Sequence, residues 1–151
     1  MLQPFRILLP LVFIGLTNCA AQYDRYDTVT ALPKNYNQDI INRYLLTKYN
    51  GLPFEQMRAI YYFNDKYLMD EVLASGGSDR VGANGLEIVI HCVTYKCNKL
   101  ILAHNHPGQY FAHPSNIDIF NTEKLRDMLA QANISLIAQI IIGEHDANWL
   151  D

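Results

Sequence analysis

The run Lys99–Ala103 (KLILA) is the sequence feature that most constrains the fold. It is short and, after its first residue, continuously apolar. A strand with one face in water would instead alternate apolar with polar residues. The run therefore predicts a central strand covered on both faces of a sheet, and the remaining elements must supply that cover.

Elements can be assigned on the N-terminal side of this run. The helical spacing of apolar residues predicts a helix over Asn35–Asn50, and Gly51 stands where a helix C-cap favours glycine. Glu55–Phe63 and Lys66–Ala74 are rich in β-forming residues and flank a turn at Asn64–Asp65, which predicts a β-hairpin.

Three further elements complete the pattern. Leu86–Cys97 is long enough to favour a helix over a strand. Asn116–Asn133 carries an apolar stripe that includes Phe120, and it follows Ser115, a preferred N-cap residue. Ile134–Ile142 has the composition of a strand. The order helix, hairpin, helix, strand, helix, strand predicts an α/β fold in which helices pack on a small mixed sheet.

Length and charge limit the classes of function. A chain of 151 residues can bury a sizeable core without disulfide or metal staples. Charged residues make up 18% of the chain and the net charge is −3, so no basic field exists to hold phosphate backbones, and nucleic-acid binding is disfavoured. Three cysteines fit neither a zinc ribbon nor a redox pair, and Cys92 and Cys97 are predicted to be small buried hydrophobes.

Residues 1–33 differ from the rest and predict a signal-like apolar segment and a linker ahead of a domain at 34–151. Met1–Arg6 carries one positive charge, Ile7–Leu16 is apolar, and Thr17–Ala21 is small and polar. That order is typical of an export signal. The apolar run is too short to span a bilayer as a helix, so no membrane span is expected. The alternative interpretation is an apolar helix packed on the domain.

Two histidines, His104 and His106, follow the apolar run where the strand ends. Residues i and i+2 of an extended chain project to the same side, so both imidazoles can point at one spot. Catalytic zinc sites use three protein ligands, and Asp118, in the first turn of the next helix, is the candidate third. A structural alternative exists, because Ser115 and Asp118 also match a capping box that only satisfies backbone N–H groups.

A hydrolytic metal site also needs a general base. Spacing alone does not choose among four glutamates, which are Glu55, Glu71, Glu87 and Glu123. Glu71 follows Asp70 in a predicted strand, and such an acidic pair is typical of an exposed edge.

A family resemblance bears on this choice. HNHP followed by PSNID after an apolar strand resembles the JAMM (MPN+) metalloprotease motif in the form found in RadC-like proteins. The hairpin EQMRAIYYFNDKYLMDEVLASGGSD and the closing IIIG are also similar, so the resemblance covers about Ile40–Gly143. It implies the three-layer α/β sandwich of the JAB/MPN domain, which is related to the cytidine deaminase fold.

The resemblance also implies a reaction and residue roles. The reaction is hydrolysis of a peptide or isopeptide bond in a peptide or protein substrate by a metal-activated water. One Zn²⁺ would be held by His104, His106 and Asp118. Glu55 would act as general base and proton shuttle, and Ser115 would stabilise the oxyanion, a contribution that is usually large in such sites.

The chain departs from the family pattern around these residues. Pro107 meets Gly108 without the usual intervening serine, and Leu86–Glu87 stands where the family has an arginine–glutamate pair. Ala138–Gln139 replaces an Asp–His pair, and the sequence stops early, at Asp151.

These departures motivate a second hypothesis, a binding or scaffolding module that keeps the fold without catalysis. A third, a DNA-associated role, follows from the repair label historically attached to RadC proteins, and the acidic balance counts against it. The family resemblance implies a cytoplasmic protein, whereas the segment Met1–Ala21 indicates export.

Overall fold

The structure is a computed structural model that describes residues 31–76 and 82–151. The predicted signal-like segment lies outside the described residues. Within them, the chain forms three helices and five strands. The elements are α1 Gln38–Tyr49, β1 Gln56–Phe63, β2 Lys66–Ser75, α2 Gly85–Thr94, β3 Lys99–Asn105, α3 Asn116–Gln131, β4 Ser135–Ile142 and β5 Ala147–Leu150.

The strands form one mixed sheet in the order β2-β1-β3-β4-β5. β1 pairs antiparallel with β2 and β3, β3 pairs parallel with β4, and β5 pairs antiparallel with β4. A parallel pair needs a crossover connection, which α3 provides. The strand predicted from the apolar run is therefore central, as expected, with a neighbour on each side.

One face of the sheet is covered by α1. Ile60 of β1, Ile101 of β3 and Ile140 of β4 pack there against Ile41 and Leu45 of the helix, and all five side chains are buried. Each strand supplies every second residue to this face, because alternate strand residues point to opposite faces of a sheet.

The other face is covered by α2 and α3. Ala59 and Leu102 project from the sheet against Ile88 of α2 and against Leu125 and Leu129 of α3. With α1 on the opposite face, the architecture is a three-layer α/β sandwich, which confirms the predicted fold class. None of the helices in the described ranges is long and apolar enough to cross a membrane.

Two boundaries differ from the sequence prediction. Helix α2 ends at Thr94, three residues early, because Lys96 adopts a left-handed φ of 56° and the Cys97 amide donates to the Cys92 carbonyl at 2.9 Å. Strand β5 was not predicted. Both Cys92 and Cys97 are buried free thiols, as predicted.

Two further expectations were wrong. Phe120 does not face the core but is 64% exposed, since α3 turns Leu125 and Leu129 toward the sheet instead. Asp70 and Glu71 do not form an exposed acidic edge, because side chains from neighbouring elements reach both carboxylates. The partners are Arg58, Tyr44 and Tyr67 for Asp70, and Tyr61, His91 and Tyr95 for Glu71.

Candidate metal centre

Three metal-binding side chains converge at the C-terminal end of β3. His104 Nε2 lies 3.1 Å from His106 Nε2 and 3.2 Å from Asp118 Oδ1, and His106 Nε2 lies 3.5 Å from Asp118 Oδ2. The histidines come from the end of the strand, and the loop that follows turns at Gly108, whose φ of 76° favours glycine. This loop returns the chain so that the first turn of α3 faces the histidines.

The geometry fits a zinc ion. Zinc–nitrogen and zinc–oxygen bonds of about 2.0–2.2 Å in a tetrahedron place neighbouring ligand atoms about 3.3 Å apart. The separation of 3.1 Å between the two Nε2 atoms and that of 3.2 Å between His104 Nε2 and Asp118 Oδ1 are close to this value, and His106 Nε2 lies 3.5 Å from the other carboxylate oxygen, Oδ2. Two imidazoles and a carboxylate are also a common zinc donor set, and three protein ligands leave a fourth position open.

Asp118 serves the helix cap and the cluster together. Its Oδ2 accepts hydrogen bonds from the Ser115 amide at 2.7 Å and from Ser115 Oγ at 2.6 Å, while the Asp118 amide donates to Ser115 Oγ at 3.1 Å. This is the predicted capping box, and it leaves Oδ1 directed at His104. The capping and metal interpretations therefore do not exclude each other.

The charge on Asp118 is well stabilised. Burial acts to raise the pKa of its carboxyl, but the contact with His104 and the hydrogen bonds from Ser115 outweigh burial and hold that pKa well below its ordinary value. The group is therefore a carboxylate at neutral pH, the form that binds a cation.

Thr122 and Gln139 determine which nitrogen of His104 carries a proton. Thr122 Oγ1 lies 2.6 Å from the Asp118 carbonyl oxygen, which can only accept, so the single hydroxyl hydrogen must lie between them. Gln139 Oε1 lies 2.8 Å from Thr122 Oγ1, and Gln139 Nε2 lies 3.1 Å from His104 Nδ1.

Because the Thr122 hydrogen already lies toward the Asp118 carbonyl, two oxygens would face each other with no hydrogen between them, so we assign the reversed amide orientation, in which the Gln139 NH₂ group faces Thr122. Amide nitrogen and oxygen are told apart by such accounting. The Gln139 oxygen then faces His104 and accepts from Nδ1–H. In the neutral imidazole with its proton on Nδ1, the lone pair of His104 Nε2 is directed at His106 and Asp118, as a metal ligand requires.

Gln109 accepts a hydrogen bond from His106 as Gln139 does from His104. His106 Nδ1 lies 3.2 Å from Gln109 Oε1, so Nδ1–H donates there and Nε2 again faces the cluster. The sequence analysis identified neither glutamine as a partner of a histidine. A glutamine three residues beyond the second histidine was the available signal for Gln109, whereas Gln139 becomes a neighbour only through strand pairing.

Asn105, which lies between the two histidines, connects the end of β3 by hydrogen bonds to the segment that contains Glu55. Its Nδ2 donates to the Phe54 carbonyl at 3.0 Å, and its Oδ1 accepts from the Gln56 amide at 2.8 Å. The Gly76 amide donates to the Glu55 carbonyl at 2.9 Å. The backbone around Glu55 is thus fixed, and Asn105 is a site residue that sequence reasoning missed.

The four glutamates considered as general base lie in different environments. Glu55 is half-buried, and its carboxylate forms no hydrogen bond or ion pair within the described ranges. Glu71 is engaged by tyrosines and a histidine, and Glu87 and Glu123 are exposed on α2 and α3. The structure does not bring the Glu55 carboxylate into contact with His104, but Glu55 follows directly on the segment that Asn105 clamps.

A mixed sheet sandwiched between helices, with a His-x-His pair and an aspartate on the next helix, defines a JAB-type domain with a potential metal centre. The family profile for the RadC-like JAB domain matches residues 36–149. The chain belongs to this family.

Relatives support the assignment. The chain is 31% identical over 107 residues to a UPF0758 protein of Thioalkalivibrio sulfidiphilus, a match that covers 70% of this chain and 48% of the relative. Identity is 31% over 103 residues to the UPF0758 protein of Nitrosococcus oceani, covering 68% of this chain and 46% of the relative. The Alcanivorax borkumensis protein is 30% identical over 115 residues, with coverage of 76% and 50%. The chain thus spans about half the length of these relatives.

Proposed function

We propose that this domain is a zinc-dependent hydrolase of peptide or isopeptide bonds. One observation carries the proposal: at the end of β3, the side chains of His104, His106 and Asp118 lie within 3.5 Å of one another. His104, His106 and Asp118 would hold the ion. A zinc ion there would supply Lewis acidity toward a water molecule and an amide carbonyl.

Glu55 would act as the general base. In extended chain it projects to the same side as Met57, two residues further on, and Met57 pairs in register with His104. Its carboxylate has no competing partner in the described ranges, so it is free to accept a proton from water and to return it to the leaving amine.

Ser115 would have two duties in sequence. In the resting site its hydroxyl donates to Asp118 Oδ2 and so holds the carboxylate in place. The Ser115 amide donates to the same oxygen, so the cap keeps a hydrogen bond when the hydroxyl turns toward the oxyanion of the substrate.

Metal analysis paired with cleavage assays tests this function. Purified protein should bind one zinc per chain, and His104→Ala should lose it. Glu55→Gln should keep the zinc and lose cleavage of a peptide library, because the amide cannot act as a base. Absence of zinc from wild type, or equal cleavage by wild type and Glu55→Gln, would refute the proposal.

A binding module is the second candidate. One observation favours it: the metal-binding side chains are fully arranged, whereas the Glu55 carboxylate contacts none of them and the Ser115 hydroxyl is committed to Asp118. A protein that binds one zinc per chain but cleaves no member of the library would support this function over hydrolysis.

A further inference from the structure

A cleft of about 330 Å³ opens directly beside His104 and Asp118. It lies between the start of α2, the middle of α3 and the sheet, with Met57 and Leu102 lining its sheet side. Ligand sites are typically concave and of a few hundred Å³. This cleft therefore has room for one side chain and its adjoining backbone.

Apolar side chains line one part of the cleft, and polar side chains that include His104, Asp118 and Asn121 line the rest. Ile88 of α2 and Leu125 and Met128 of α3 face Met57 and Leu102 across it. Apolar surface removed from water contributes about 25 cal/mol per Å², so an aliphatic side chain gains free energy by packing on this apolar part of the lining. Met57 and Met128 can also adjust their shape, since methionine side chains are flexible.

Gly85 contributes to this space by lacking a side chain. A Cβ atom there would lie 3.2 Å from both Cε and Sδ of Met128 and 3.5 Å from a methyl carbon of Leu125. Any larger residue would displace Met128 toward the cleft, so the glycine at the start of α2 preserves the opening.

A single cationic side chain stands at the rim. Lys124 is exposed and is the one lysine or arginine among the described residues that line the cleft. It follows Asp118 by six residues, which is about 9 Å along a helix. An extended peptide covers that distance in about three residues. A carboxylate bound at Lys124 would therefore lie two or three residues from an amide bond at the histidines.

We propose that this cleft selects the substrate: it takes an apolar side chain next to the cleaved bond, in a segment whose carboxylate follows within two or three residues and pairs with Lys124. The meaning of the cleft as a substrate site depends on the proposed hydrolase function. Its ligand preference depends only on the lining residues and can be measured separately.

The test uses the zinc-free full chain, so that no carboxylate can bind a metal. Protein labelled with ¹³C on the methionine methyl groups is titrated with N-acetyl-Leu-Gly, with its C-terminal amide, and with N-acetyl-Gly-Gly. The methyl signals of Met57 and Met128 report on the cleft. Met69 packs elsewhere in the same core and is the internal control.

N-acetyl-Leu-Gly should shift Met57 and Met128 and leave Met69 unchanged. It should bind about tenfold or more tightly than N-acetyl-Gly-Gly, because the leucine side chain leaves water. Amidation of its carboxylate should weaken binding about twofold to fivefold, as for an exposed ion pair. Equal affinity for the leucyl and glycyl peptides, or shifts at Met69 alone, would overturn the proposal.

Variants at exposed positions test separately the ion pair with Lys124 and the packing of the leucine side chain in the cleft. Lys124→Ala should abolish the difference between acid and amide, whereas Lys66→Ala, at the far end of the β1–β2 hairpin, should not. Asn121→Phe places a ring at the cleft and should reduce leucyl binding. Glu123→Phe adds the same ring to α3 outside the described lining and should leave binding intact. Equal effects of the paired variants would contradict the assignment.

These outcomes are distinct from failure of the proposed function. A protein without zinc or cleavage activity can still show the predicted ligand preference, and an active hydrolase can lack it. Cleavage of library peptides with glycine or charged residues beside the cut, by a zinc-loaded active enzyme, would count against the cleft alone.

Discussion

The donors and acceptors on Thr122 and Gln139 determine that His104 Nδ1 carries a proton. The Asp118 carbonyl takes the Thr122 hydroxyl hydrogen, the Gln139 NH₂ donates to Thr122, and the Gln139 oxygen accepts from His104 Nδ1–H. Each group has one role, so in this arrangement neutral groups alone hold the Nδ1 side of the imidazole.

Gln139→Leu should therefore weaken zinc binding. Loss of a residue that orients a metal ligand typically lowers metal affinity 10–100-fold. Competition with a chromophoric chelator measures the affinity, and ¹⁵N shifts of the histidine ring report the tautomer. Gln139→Glu keeps an acceptor for Nδ1–H and should retain most of the affinity.

Gln131→Leu, on the exposed surface at the end of α3, is the matched control and should bind zinc as wild type does. An unchanged tautomer and affinity in Gln139→Leu would show that the glutamine only fills space.

Asp70 predicts an acid-dependent part of the stability. Burial acts to raise the pKa of its carboxyl, but hydrogen bonds from Tyr67, Tyr44 and Arg58 outweigh burial and lower it. A depressed folded-state pKa stabilises the protein above the unfolded value of about 3.9, and this contribution is lost as pH falls through the folded value.

Asp70→Asn should thus cost about 1–3 kcal/mol at pH 7, the range for hydrogen bonds to a charged group. The difference from wild type should shrink below about pH 4, where wild type loses the same contribution. Urea unfolding at several pH values measures it. Asp65→Asn should show little effect at any pH, because Asp65 is 72% exposed. A constant Asp70→Asn deficit down to pH 2 would contradict the account.

At the scale of elements, the start of α3 combines a helix cap with a proposed metal ligand. Ser115→Ala removes the hydroxyl that accepts from the Asp118 amide and donates to its carboxylate. We expect a loss of about 1 kcal/mol in unfolding free energy, typical for an N-cap, together with weaker zinc binding. Denaturant unfolding and zinc titration measure the two effects.

Ser115→Thr should restore both properties, and Ser135→Ala, at an exposed serine of β4, should change neither. If Ser115→Ala loses stability but keeps its zinc affinity, Ser115 acts only as a helix cap.

Much of the element pattern could be predicted because local periodicity encodes it. The central strand, the hairpin and the helices follow from apolar spacing and from cap residues such as Ser115. Strand β5 was not predicted, because four residues after a turn carry almost no periodic signal. In the structure its Trp149 packs beside Tyr36 and donates a hydrogen bond to Asn42 at 2.7 Å.

The candidate site was only partly predictable for a different reason. Histidines two apart on a strand share a side by local geometry, so their proximity follows from sequence. Gln139 reaches His104 through strand register, and Thr122 reaches Gln139 through helix packing, neither of which a local pattern specifies. Asn105 likewise contacts Phe54 and Gln56 only because β3 pairs with β1. The same holds for the tyrosines around Asp70, which come from α1 and β2.

For the whole molecule, two buried layers of side chains form a core that needs no metal. Zinc-free protein should therefore remain folded, and zinc should raise the melting temperature by several degrees, since a ligand at 100 times its Kd adds about 2.7 kcal/mol. Differential scanning calorimetry with and without chelator measures the shift, and His104→Ala should abolish it. Unfolding upon chelation would show that the metal is structural.

The three proposed ligands also lie close along the chain, separated by only 2 and 12 positions. Closing so short a loop costs an unfolded chain little entropy, since the cost grows only with the logarithm of loop length. The denatured ensemble should therefore chelate zinc as well, and any binding to that ensemble reduces the stabilisation. The stabilisation measured in denaturant should fall short of that calculated from native affinity, and refolding in zinc would begin from chains already closed around the ion.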